Sequence, residues 1–296
     1  MEVVAVRRLT ILASTAVLLV SGALTGGAGA HAQAPAGATG AAPAGGGSAP
    51  AVLVRDIEIP VPGQPAVRAW LVRPQRAGGR LAGVLDLHWF EPGRASQDRG
   101  EFLTEATLLA GRGVVSVLPQ LTFPWAGDPV GDARDRSAVT AQLDAVRQAY
   151  RRLVAEPGVD RARTAVVGHD YGAMYGAGLA AGEPGLRGAV LLAPDATWAN
   201  WFDTYWLHLP AGQQAAYRAV FAGLDPVDQV GRLGAGAYLQ FAGADRFVSA
   251  ETRAAFAAAA PRARVSLYPR EEHDLAASQA RDDRLGWLAD RLDLRG

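Results

Sequence analysis

TAVVGHDYGAMYGAGLAAG, residues Thr164–Gly182, is the stretch whose reading decides the fold. It opens with a short apolar run, Thr164-Ala-Val-Val, and passes through Gly168-His169-Asp170-Tyr171-Gly172. It then continues in small residues that suit only a closely packed helix. That order implies a buried parallel strand, a sharp turn and a helix. The two glycines have a steric reason. The central residue of such a turn adopts a strained backbone conformation, and side chains two positions to either side would collide. The central residue is Asp170, and its carboxylate governs every chemical expectation below.

Outward from this elbow, the pattern is one of strands alternating with helices. Val52–Ile59 and Val67–Pro74 partly alternate, as strands with one wet face do, and Gly63-Gln64-Pro65 suits the turn of an opening antiparallel hairpin. Short apolar runs follow at Ala82–Leu87, Val114–Leu118, Thr164–Val167, Ala189–Leu192, Ala237–Phe241 and Arg264–Leu267. Helical segments fall between and after them, at Arg99–Gly111, Ser137–Glu156, Tyr171–Gly182, Ala250–Ala260 and Ala276–Leu294. Such a pattern predicts an α/β fold with a doubly wound, mostly parallel eight-stranded sheet. A cap insertion is expected around 194–234.

The chain has 296 residues, 49% of them hydrophobic, which is enough for a substantial core. Basic and acidic residues number 29 each, so no global field points to nucleic acid or an acidic membrane surface as partner. The absence of cysteine excludes disulfides, thiolate nucleophiles and Cys-based metal sites. No metal site or nucleotide cofactor is expected. The expected partner is a small-molecule substrate, and oligomeric state is left open.

At the N-terminus, Arg7 and Arg8 precede an apolar stretch, Leu9–Leu24, and then small residues ending in Ala28-Gly29-Ala30 and Ala30-His31-Ala32. This is the charged, apolar, A-x-A order of a secretory signal peptide over 1–32, which implies export to the periplasm or the medium without stable membrane insertion after cleavage. The competing reading is an uncleaved anchor. Against it, the run falls short of the about 20 residues a span needs and is broken by Ser and Gly. Residues 33–50, almost all Ala, Gly, Pro, Thr and Ser, read as a flexible linker, and the folded domain is expected over 51–296.

The segment VDRARTAVVGHDYGA, Val159–Ala173, resembles the elbow region of the dienelactone-hydrolase and prolyl-oligopeptidase-like branch of the α/β-hydrolases, where V-D-x-x-R precedes G-H-S-x-G-A. The resemblance covers roughly Val52 to the end. It departs at one position: Asp170 stands where that branch has Ser or Cys. An elbow of the form G-H-D-x-G instead resembles those of haloalkane dehalogenases and epoxide hydrolases. The resemblance implies active residues at the carboxyl ends of strands, in chain order nucleophile, acid, histidine.

Two residues after Asp170 fit that order. Asp245 follows the apolar strand Ala237–Phe241 in a Gly-x-Asp context, and His273 follows the strand at Val265–Leu267. Asp245 would orient His273, and His273 would activate water or accept a proton. Asp245 read alone also suits a turn or a helix cap. Glu271, Glu272 and Asp274 read as solvated loop charges. The His88-Trp89-Phe90-Glu91-Pro92 segment after VLDL resembles the family's H-G-x-x loop, which makes the backbone N–H groups of Trp89 and Tyr171 the expected oxyanion donors. Trp89 in place of Gly would narrow the site. In the other reading, His88 and Trp89 are packed loop side chains. His88 and, within the cap, Trp198, Trp201, Tyr205 and Trp206 are candidate pocket residues, with Trp198, Trp201 or Phe202, Tyr205 and His208 at helical spacing. The same face would also serve simply to pack the cap on the body.

Carboxylate chemistry narrows the reaction. An aspartate attacking an ester carbonyl would have to expel an alkoxide, although carboxylic acids have pKa values near ~4 and alcohols lie many units higher. The adduct would return the aspartate. Displacement at a tetrahedral carbon bearing halide or a strained ring oxygen leaves an ordinary ester on Asp170, which His273-activated water can hydrolyse. Three readings are kept: this Asp-nucleophile hydrolase; an ester or amide hydrolase with an atypical elbow in which Asp170 serves as a base for water; and a catalytically silent binding protein on the same fold.

Overall fold

The hairpin expected at the start of the domain forms from β1 (Val52–Val61) and β2 (Gln64–Pro74), antiparallel with Ile57 opposite Ala69. The turn falls at Pro62-Gly63, one residue earlier than the sequence suggested, because Gly63 supplies the positive φ of 73° that the reversal needs. A computed structural model describes residues 51–76, 79–90, 98–124 and 127–294. The expected signal peptide, the linker and residues Glu91 and Pro92 lie outside them.

Six further strands complete the sheet: β3 (Leu81–Leu87), β4 (Val114–Pro119), β5 (Val159–His169), β6 (Gly188–Leu192), β7 (Ala237–Ala242) and β8 (Arg264–Tyr268). Their spatial order is β1-β2-β4-β3-β5-β6-β7-β8. β2 pairs with β4 antiparallel, and every pairing from β4 through β8 is parallel. The continuous apolar runs are explained by burial on both faces: every residue of β3, β4, β6 and β7 is buried. β5 is longer than the run Thr164–Val167 implied. Its polar lead-in pairs as well, with Val159 opposite Leu81.

The helices are α1 (Leu103–Ala110), α2 (Ala133–Val154), α3 (Tyr171–Gly182), α4 (Trp198–Phe202), α5 (Ala211–Val220), α6 (Pro226–Val230), α7 (Ala250–Ala259) and α8 (Ser278–Arg291). The crossover from β3 to β4 runs one way across the sheet and that from β4 to β5 runs the other. Right-handed connections therefore place α1 and α2 on opposite faces. Arg284 of α8 donates from Nε to Glu105 of α1 at 2.8 Å, tying these two helices together. α1 starts at Leu103 rather than Arg99, since a 3₁₀ turn, Asp98–Gly100, precedes it. α2 starts four residues before Ser137, because Asp132 caps it by accepting the Arg134 N–H.

Between β6 and β7 the cap forms from α4, a π-helical turn over Asp203–Leu207, α5 and α6. The α-helical spacing read through His208 does not persist. It gives way after Phe202, and His208 itself takes a left-handed conformation. No helix among the described residues is long and apolar enough to cross a membrane.

Candidate active site

Asp170 sits between the last residue of β5 and the first of α3, at φ 51° and ψ −124°. This is a costly conformation for a residue with a side chain, and the surrounding bonds impose it. Its N–H donates to Leu192 O at 2.9 Å, and its carbonyl accepts the Met174 N–H at 3.1 Å. The flanking glycines are required by contact. A Cβ on Gly168 would lie 2.5 Å from Gly172 O, and one on Gly172 would lie 2.3 Å from both Leu87 O and His88 O. These neighbours are backbone atoms of the first turn of α3 and of the buried end of β3 with the residue after it, and they cannot yield. Gly172→Ala is therefore expected to cost on the order of 3 kcal/mol, read as a lower urea midpoint. A variant as stable as the parent would show that the turn relaxes.

Both oxygens of the Asp170 carboxylate are held. Oδ1 accepts the indole N–H of Trp201 at 3.0 Å, and Oδ2 accepts the backbone N–H of Phe90 at 3.3 Å. His273 Nε2 lies 3.7 Å from Oδ1, while its Nδ1–H donates to Asp245 Oδ2 at 2.9 Å. Asp245 stands in the loop after β7, where its Oδ1 also accepts the N–H groups of Phe247 (2.8 Å) and Val248 (3.1 Å). The structure thus brings together Asp170, Asp245 and His273, three residues that the sequence placed in that order.

Electrostatics follow from the geometry. Burial works to lower the His273 pKa, but the facing Asp170 carboxylate and then the hydrogen-bonded Asp245 outweigh it and push the value up to about 10. At neutral pH the ring is an imidazolium clamped between two carboxylates. For Asp245, burial works upward, yet the His273 bond and the two loop amides leave its pKa below the usual value. Tyr205 is pushed up by burial and by the facing charges of Asp170, Asp195 and Asp245, so its hydroxyl stays a proton donor.

The oxyanion assignment needs correction. The Trp89 N–H is already committed to Glu101 Oε2 at 2.7 Å, and the amide aimed at Asp170 belongs to the next residue, Phe90. Tyr171 occupies the expected place at the head of α3. His88 does not line a pocket. It is 1% exposed; its Nδ1–H donates to Trp89 O at 2.7 Å and its Nε2 accepts the Leu121 N–H at 2.9 Å. Burial lowers its pKa to about 4, so it is a neutral strut that shapes the loop.

The cap aromatics divide in the same way. Trp198 is buried against Tyr175 and gives its indole N–H to Leu224 O, so it packs the cap on the body. Trp201, Tyr205 and Trp206 gather over the elbow instead. Trp201 stacks on Tyr171, Trp206 meets Phe90, and Tyr205 meets Phe247. Phe247, half exposed and 5.0 Å from the His273 ring, and Glu101 were both missed in the sequence. Of the loop charges, Glu271 accepts the Ala277 N–H at 3.0 Å, while Glu272 and Asp274 are exposed. Among the described residues no group of three or more His, Asp or Glu is arranged to hold a metal ion.

No protein-family model matches the chain, and no curated relative is found by its sequence. Solved structures are similar. One from Klebsiella pneumoniae described as a dienelactone hydrolase superposes with a TM-score of 0.57 at 17% identity over 82% of this chain and 99% of that one. A thermostable esterase from Pseudomonas putida gives 0.53 at 21% identity, covering 83% and 84%. Pyrococcus horikoshii acylaminoacyl peptidase gives 0.60 at 13% identity, covering 82% of this chain and 41% of the peptidase. With the elbow, the strand order and these likenesses together, the chain has the α/β-hydrolase fold.

Proposed function

We propose that the protein is a hydrolase whose nucleophile is the Asp170 carboxylate and whose substrate presents a tetrahedral carbon bearing halide or an epoxide oxygen. The observation that carries this reading is the division of labour at the carboxylate: Oδ2 on a backbone amide, Oδ1 on the Trp201 indole N–H, and His273 beside it. Oδ1 attacks carbon, the bond to halide or epoxide oxygen breaks, and the leaving atom takes the electron pair. As Oδ1 becomes an ester oxygen, its hold on the Trp201 N–H weakens and that donor is released for another acceptor in the site. A displaced halide departs as the anion. An epoxide oxygen takes a proton, with Tyr205 O–H and the imidazolium as the available donors.

Esterification removes the charge on Asp170, the carboxylate that His273 Nε2 faces at 3.7 Å. The ring then gives its Nε2 proton to the epoxide oxygen or, after halide loss, to solvent, and acts as base for water. Water adds to the ester carbonyl, whose oxygen is Oδ2, on the Phe90 amide. Collapse releases the alcohol and restores the carboxylate, which now carries one oxygen from water. A single turnover in heavy-oxygen water, over a panel of alkyl halides and epoxides, is expected to leave the label in the Asp170 peptide. An unlabelled peptide after turnover rules the covalent route out.

A second reading, with Asp170 as a base in ester or amide hydrolysis, is favoured by the esterases and peptidases among the structural likenesses. It requires ester turnover with no label in Asp170. A silent binding protein has no need for the His273–Asp245 bond, and that bond is intact.

A further inference from the structure

Glu101 lies in the turn just before α1, 68 residues from the elbow, and its carboxylate is shared between two partners. Oε2 accepts the Trp89 N–H at 2.7 Å, and Oε1 lies 2.6 Å from His169 Nδ1. The other ring nitrogen of His169, Nε2, lies 2.9 Å from the backbone carbonyl oxygen of His273. His169 is 1% exposed, and the Trp89 ring stacks on it with centroids 5.2 Å apart and planes 10° from parallel.

The hydrogen atoms can be assigned. A carbonyl oxygen carries none, so His169 Nε2 is the donor to His273 O. His169 Nδ1 and Glu101 Oε1 then hold one proton between them in a short, charge-assisted contact. An apolar pair would fill the same space without the desolvation cost of two polar groups, so filling space does not account for these residues.

What the pair joins is specific. Fixing the Trp89 N–H sets the peptide whose successor, Phe90 N–H, meets Asp170 Oδ2. His169 immediately precedes Asp170. The His273 carbonyl belongs to the residue whose ring faces Asp170 Oδ1. Three separate segments, after β3, at the end of β5 and after β8, are thus referred to one carboxylate. We infer that Glu101 and His169 form a positioning couple that sets the Phe90 amide and the His273 ring against Asp170 without touching substrate. The inference rests on the reading of Asp170 and His273 as the reacting pair.

The test uses the full chain, the halide or epoxide that turns over, and NMR of the Phe90 amide and His273 ring protons. Glu101→Ala is expected to lower kcat about 10- to 100-fold with KM within about twofold, as for a misplaced reacting group. Glu101→Gln keeps an acceptor for Trp89 N–H and offers Nδ1 a donor, so kcat is expected to return to within about fivefold of the parent. His169→Phe keeps the ring stack and loses both hydrogen bonds, and it is expected to match Glu101→Ala. The double variant should fall no further than the worse single one. The Phe90 and His273 resonances are expected to move in Glu101→Ala and His169→Phe and to return in Glu101→Gln.

Unchanged kcat in folded Glu101→Ala or His169→Phe overturns the couple, and so does a KM change with kcat intact. Glu101→Gln as impaired as Glu101→Ala also overturns it. If Glu101→Ala does not fold, His169→Phe and Glu101→Gln carry the same comparison. A parent protein that turns over nothing on the panel counts against the proposed function alone. The resonances still decide the couple, which fails if they are unmoved in His169→Phe.

Discussion

In the His273→Gln protein, a group taken from substrate is expected to stay on Asp170. Glutamine approximates the reach of the imidazole and can keep a hydrogen bond to Asp245, but it cannot accept a proton from water. The displacement step does not need that base, since the attacking oxygen is already a carboxylate. The hydrolytic step does need it. Halide release, or for an epoxide the loss of substrate, should therefore appear as a burst equal to the enzyme present, followed by a steady rate lower by about 10²- to 10⁴-fold. The Asp170 peptide should carry the mass of the alkyl or hydroxyalkyl group. A protein in which Asp170 is a base for water gives no burst and no adduct with the same substitution, so one mass measurement separates the two chemistries.

The residues that carry this experiment differ in how visible they are in sequence. The elbow was legible because its constraint is local: strained φ at Asp170 forces glycine at 168 and 172, and a buried strand forces the apolar run before them. Asp245 and His273 were legible because each ends a buried strand, and strand ends in this sheet converge on one edge. The oxyanion amide was misplaced by one residue. Which of two successive N–H groups faces inward depends on peptide orientation, and Glu101, far along the chain, sets that orientation. Helical spacing put Trp198 and Trp201 on a common face, and both are indeed buried. A five-residue helix wedged between body and elbow turns one indole towards Leu224 and the other towards Asp170, a distinction that periodicity does not contain. Phe247 was overlooked because it sits in a polar loop and is half exposed, the opposite of what marks a core aromatic.

The likeness of the fold to esterases and peptidases does not set the bond that is broken. Fold and reaction are separable, and the reaction is carried by the group at the elbow. A hydroxyl there can leave an acyl-enzyme behind and expel an alkoxide of similar basicity. A carboxylate would have to expel a far stronger base than itself. Everything else around Asp170, the amide at Oδ2, the imidazole and the acid behind it, serves the hydrolysis of an ester. In the proposed reaction that ester is the one formed on the Asp170 side chain.

Asp170→Asn tests the electrostatic half of the argument. The amide is a poor nucleophile, and turnover is expected to fall on the order of 10⁴-fold or more. The more diagnostic change is at His273. Its raised pKa depends on two carboxylates acting against burial, with the facing Asp170 the larger of the two favourable contributions. Removing one charge should lower the His273 pKa from about 10, as followed by NMR titration of the ring. Stability must follow with a definite sign. A histidine whose folded pKa lies above its unfolded value, ~6.5, contributes stability that is fully present below that value and is lost as pH rises through the folded pKa. The parent protein should therefore lose stability between about pH 6.5 and 10, by on the order of a few kcal/mol. Asp170→Asn should lose less over the same window. Since the other titrating groups are common to both proteins, the difference between the two slopes isolates the Asp170–His273 contact. Equal slopes would mean that the imidazolium is not held by Asp170, and the proposed release of its proton on esterification would have no driving force.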